Sequence, residues 1–118
     1  MNLANWENKV IETQYTYTMY VGYKEETTEY GKYNSYEVAY FNVSKVNSSL
    51  ESFKIAPEFQ GKGLANQLMA LVKELGVDNL MAESYGEGLS QENLIAFYEK
   101  HGFKQVVTNG NSTYMTLA

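Results

Sequence analysis

The chain contains no cysteine and no arginine, and it has a single histidine and a single proline. Without cysteine there are no disulfides, no thiolate nucleophile and no cysteine-based metal site. One histidine gives no basis for a histidine-rich zinc centre. Any group transfer is therefore expected to run directly from donor to acceptor, or through a hydroxyl or carboxylate. Lack of arginine rules out the bidentate guanidinium clamp on phosphate. An anion must be held by backbone N–H groups and by the point charges of nine lysines. No stretch approaches the about 20 apolar residues of a membrane span. The opening residues Met1 to Glu7 lack the charged-then-apolar pattern of a secretory leader, so a cytoplasmic protein is expected.

What is present fits one domain over residues 1–118, long enough to bury a core. Apolar residues make up 44% and charged residues 19%, and eleven tyrosines supply amphipathic strand-formers. The net charge of −5 disfavours a nucleic-acid surface and favours a cationic substrate or partner. The carboxylates are scattered along the chain, which argues against an acidic inhibitor that mimics DNA.

Alternating large and small or polar residues predict a strand over 15–24 and a second over 35–43, with a hairpin loop between Glu25 and Asn34. A short third strand, 50–55, stops at Pro57. Leu64, Leu68, Leu71 and Leu75, with Met69 and Val72 beside them, mark one face of a helix that Gly76 ends. A buried strand over 77–85 follows, broken by Gly86-Glu87-Gly88. Ser90 is a good N-cap for a second helix, with Leu89 and Leu94 spaced as a hydrophobic staple. After Gly102, residues 103–107 and 112–117 read as a closing hairpin. The predicted order, β-β-β-α-β-α-β-β, describes a mixed α/β protein in place of a doubly wound parallel sheet.

The most informative stretch is Ile55-Ala56-Pro57-Glu58-Phe59-Gln60-Gly61-Lys62-Gly63-Leu64-Ala65. A strand ends at proline, a paired-glycine turn follows, and an amphipathic helix begins. Small residues let backbone N–H groups approach an anion, and the helix N-terminus adds positive dipole. The Gln-x-x-Gly-x-Ala spacing resembles the acyl-CoA-binding motif of the GCN5-related N-acetyltransferases (GNAT). Further on, Leu89 to Phe103, with Phe97-Tyr98-Glu99-Lys100-His101-Gly102-Phe103 at its end, is similar to the later motif of the same family. The wording of this segment also resembles very small phage-encoded members. From Ile55 onward the chain follows the family layout, and the earlier part matches by strand pattern.

The resemblance implies a GNAT-like mixed central sheet with two main helices. The form is minimal, because the stretch between Lys24 and Ser35 is too short for the family's usual first helix pair. It implies acetyl-CoA as co-substrate and transfer of its acetyl group to a primary amine, with a protein lysine or N-terminus ahead of a small amine. The pyrophosphate is expected on the N–H groups of Gln60, Gly61, Lys62, Gly63, Leu64 and Ala65, with Lys62 able to add charge. The pantetheine arm is expected beside Phe53 and Ile55. Gln91 stands where the family usually has an asparagine, seven residues before the tyrosine. The resemblance implies that it takes over that cofactor or strand contact, whereas Asn93 is expected elsewhere on the helix. Tyr98 is implied as the general acid for the departing thiolate. Glu51, sharing strand parity with Phe53 and Ile55, is the candidate base, with Glu83 and Tyr85 behind it. His101, near a helix C-terminus where imidazole suits the dipole, reads as structural. A catalytically silent member that binds CoA or a partner protein is the alternative, and a homodimer is compatible with apolar strand edges.

Overall fold

The computed structural model describes residues 2–84 and 89–118. After a short 3-10 turn (Leu3–Asn5) come β1 (Asn8–Glu12), β2 (Thr16–Thr28), β3 (Gly31–Ser44) and β4 (Ser49–Ile55). Then follow a 3-10 turn (Pro57–Phe59), α1 (Leu64–Glu74), β5 (Asn79–Glu83), α2 (Gln91–Lys100), β6 (Phe103–Asn109) and β7 (Ser112–Leu117). The strands form one sheet in the order β1-β2-β3-β4-β5-β7-β6. Among the described strands only β4 and β5 run parallel, because α1 carries the chain back across the sheet between them. The mixed sheet with two helices is the expected architecture, and among the described residues no helix is long and apolar enough to cross a membrane.

Three expectations from the sequence are corrected. β1 was not foreseen; its residues Asn8–Glu12 carry little apolar alternation and are mostly exposed, as an edge strand permits. The stretch from Glu25 to Asn34 is not a loop: it continues β2 and β3 in register to Thr28 and Gly31, leaving Glu29 and Tyr30 as the turn. Polar residues can pair there because neither face of that ribbon is buried, so periodicity gives no signal. The helix pair is indeed missing, but the relevant connection is Thr13 to Tyr15, between β1 and β2, and not Lys24 to Ser35.

α1 buries Leu64, Leu68, Met69 and Val72, while Leu75 caps the helix and is exposed. The stripe is rotated from the leucine spacing toward Met69 and Val72, which join Phe41, Leu80, Phe103 and Met115 in the core. Gly76, at φ 84°, takes the left-handed position past the helix end, as expected. Ser90 caps α2 through its side chain, accepting from the Asn93 N–H at 3.2 Å. The bulge in β2 at Gly22 is tighter: φ is 69°, and both the Gly22 and Tyr23 N–H groups donate to the Glu7 carbonyl at 2.9 Å.

Candidate acyl-donor cleft

β4 and β5 pair only at Ser49–Asn79 and Leu50–Leu80, then part. From Glu51 onward β4 keeps β3 on one edge and presents its other edge to open space. A cleft of about 810 Å³ fills this gap, a size suited to a cofactor-like ligand. It is lined by β4, the glycine turn, the first turn of α1, the end of β5 and one face of α2.

The glycine turn lies on this cleft. Gly61 and Gly63 have φ of 74° and 81°, and a Cβ at either would meet no protein atom within 4 Å. Glycine is therefore required by conformation, and the space beyond is open. Gly63 is the N-cap of α1 and offers no side-chain cap. The first intrahelical bond runs from the Gln67 N–H to the Gly63 carbonyl, so the N–H groups of Leu64, Ala65 and Asn66 have no partner within the helix. Positive dipole and outward N–H groups thus face a cavity, which is what a phosphate needs.

Individual residues sort unevenly against expectation. Phe53 and Ile55 are half-buried and line the cleft beside the free β4 edge. Gly61, Gly63 and Ala65 also line it; the Leu64 side chain turns into the core and leaves only its backbone to the turn. Lys62 is exposed and does not line the cleft. Gln60 lines it, but its N–H is already given to the Pro57 carbonyl at 3.3 Å and its side chain donates to the Ile55 carbonyl at 3.0 Å. Gln60 therefore ties the turn to the strand end.

The amide of Gln91 is a strand staple. It donates to the Ala82 carbonyl at 2.8 Å and accepts from the Ser84 N–H at 2.9 Å, with Thr113 Oγ1 at 3.4 Å. This is the strand side of the expected contact, and Gln91 does not line the cleft. Asn93 does line it, against expectation, because the cleft wraps the N-terminal turn of α2.

Tyr98 is 5% exposed and lines the same cleft. Its ring sits edge-on to Phe97 and Phe103, with centroids at 5.4 and 6.4 Å. Burial pushes its phenol well above the ordinary range, which keeps the proton on at any physiological pH. Glu51 and Glu83 are both exposed and both line the cleft; each accepts from a serine, Ser49 at 2.6 Å and Ser112 at 2.9 Å. The β3–β4 register slips at Glu51, which has no partner on β3, yet it lines the cleft together with Phe53 and Ile55. The carboxylate reaches the cleft from a bulge. Both carboxylates also border a second pocket of about 250 Å³ with Tyr114 and Asn79. Tyr85 lies outside the described residues.

His101 caps α2, and its Nε2 is 2.9 Å from Asn66 Oδ1 in the first turn of α1. Burial, then the charges of Lys100 and Lys73, hold its pKa below the usual imidazole range. It is a strut between the two helices, and its lowered pKa works against the cation that the helix dipole would favour. Sequence reasoning missed Asn66, Phe97 and Lys100. Leu94, Phe97, Tyr98 and His101 follow the i, i+3, i+4, i+7 stripe, so the inward face of α2 was there to be read. The N-terminal bracing was not: Trp6 packs edge-on against Phe59 at 5.0 Å, and the Leu3 N–H reaches Gln67 Oε1 at 3.3 Å.

A structure of PaiA N-acetyltransferase from Thermoplasma acidophilum in complex with coenzyme A is similar to this chain. The match has TM-score 0.54 and 16% identity, over 87% of this chain and 60% of that one. A nourseothricin acetyltransferase matches with TM-score 0.51 and 21% identity, over 88% and 65%. PH1933 from Pyrococcus horikoshii OT3 matches with 0.50 and 19%, over 86% and 63%. The chain thus spans less than two thirds of the length of these neighbours, and they speak for the fold. No curated protein matches. The profile of the acetyltransferase (GNAT) domain matches residues 2–116. With nearly the whole chain inside that match, this protein belongs to the GNAT acetyltransferase family.

Proposed function

We propose that this protein is an acetyl-CoA-dependent N-acetyltransferase acting on a primary amine. One observation carries the reading: the glycine-capped start of α1, the unpaired edge of β4 and the Tyr98 helix all open on one cleft. The N–H groups from Gly61 to Asn66 hold the pyrophosphate. The free β4 edge beside Phe53 and Ile55 takes the amide-bearing pantetheine arm as an added strand.

The acceptor reaches the cleft as an ammonium ion and must lose a proton before it can attack. Glu51, one of two carboxylates lining the cleft, receives that proton directly or through water. The amine nitrogen then bonds to the thioester carbonyl carbon. As the C–S bond breaks, Tyr98 gives its proton to the sulfur and regains one from the nitrogen by way of solvent. The products are an amide and the free thiol of CoA.

The acceptor we favour is a protein lysine or N-terminus. In support, the β1–β2 connection is only Thr13 to Tyr15, so no helix pair encloses that side of the sheet. The cysteine-free composition and the lack of a spanning helix among the described residues suit a cytoplasmic reaction.

Calorimetry with acetyl-CoA, followed by thiol release in the presence of lysine peptides, N-terminal peptides or small amines, tests the reading. Acetyl-CoA binding and peptide-dependent release are expected. Absence of acetyl-CoA binding would sink it, and release with small amines alone would move the acceptor to that class.

A further inference from the structure

The cleft is polar in an ordered way. Its acidic residues, Glu51 and Glu83, come from the region where β4 and β5 part. Its basic residues are Lys54, on β4, and Lys100, the last residue of α2. Lys100 is followed by His101, whose ring is tied to Asn66 in the first turn of α1. That strut ties the end of α2 to the first turn of α1, and Lys100 lines the same cleft as Gly61, Gly63 and Asn66. Lys100 takes part in neither ion pair found among the described residues, Lys32–Glu25 and Lys45–Glu12.

An acyl-CoA brings two phosphate groups of different kinds. The pyrophosphate is bridging and suits a ring of backbone N–H groups. The ribose phosphomonoester carries close to two negative charges and lies apart from it. The end of α2 is the negative pole of its dipole, so a phosphate arriving there needs a local cation. The chain has no arginine to supply it. The geometry points to Lys100 as the side chain that binds the 3′-phosphomonoester of the acyl-CoA donor, with His101 and Asn66 holding the helix end in place.

This inference rests on the acyl-CoA reading above, and its test separates the two. CoA and 3′-dephospho-CoA are titrated calorimetrically into wild type, Lys100→Gln and the control Lys104→Gln, whose lysine is exposed on β6 away from the cleft. Wild type is expected to bind CoA about two- to fivefold more tightly than the dephosphorylated form, the range for a charge pair at an exposed site. Lys100→Gln is expected to bring that ratio near one while leaving the affinity for 3′-dephospho-CoA unchanged, and Lys104→Gln to keep it. Raising the salt from about 0.05 to 0.5 M is expected to shrink the wild-type ratio. A Lys100→Gln ratio equal to wild type, or a wild type indifferent to the phosphate, overturns the assignment while the donor reading stands. If wild type binds neither compound, the donor reading itself fails.

Discussion

Gly63→Ala isolates the chemistry of the cradle from its folding. Gly63 sits at φ 81°, and a Cβ there meets no protein atom within 4 Å. The substitution therefore brings no clash, only the cost of a left-handed alanine, about 1–2 kcal/mol. Gly76 provides the matched control: it has φ 84°, equally open surroundings, and lies past the other end of α1, off the cleft. Both variants are expected to lose about 1–2 kcal/mol in urea unfolding, a drop in Tm of roughly 4–8 °C for a domain of this size. They should part in donor binding. On the proposed binding mode, the Gly63→Ala methyl group would enter the phosphate's space and push it off N–H groups worth about 1.5–3 kcal/mol each for a charged partner. The calorimetric Kd for CoA should rise about 10- to 100-fold in Gly63→Ala and by less than twofold in Gly76→Ala. Equal Kd changes in the two variants, or an unchanged Kd in Gly63→Ala, would refute the cradle.

Three further outcomes follow from the structure. Tyr98→Phe should lower kcat by about 10²–10³ and leave the KM for acetyl-CoA nearly unchanged. Because the phenol pKa is raised, this deficit should stay constant from pH 6 to 9; a deficit that vanishes at alkaline pH would show a different acid at work. Gly22→Ala adds a Cβ at 2.9 Å from Val38 Cγ2 to a left-handed backbone, so its loss of stability should exceed that of Gly76→Ala, as read by urea unfolding. His101 has a lowered pKa, so the unfolded chain binds more protons between that value and the ordinary imidazole range. Stability should therefore fall as pH drops through the mid-sixes toward the lowered value and level off below it, and His101→Gln should remove that slope.

Local chemistry made much of this protein legible in its sequence. The Gly61–Gly63 turn, the Ser90 cap, Gly76 and the apolar stripe of α1 are each decided within a few residues, so pattern and position suffice. The same holds for the two motifs that mark the family. β1 and the long polar ribbon of β2 and β3 were not legible, because exposed strands owe their form to partners that no local pattern announces. Tertiary structure alone decided how the pieces face one another. The parting of β4 and β5 after two residue pairs opened the cleft that Glu51 and Glu83 border. Gln91 was claimed by the ends of neighbouring strands, Gln60 by Ile55 and Pro57, and His101 by Asn66, across 35 residues of chain. Sequence determined that a glycine-capped helix would offer N–H groups to an anion; packing across the sheet decided which side chains stand around it.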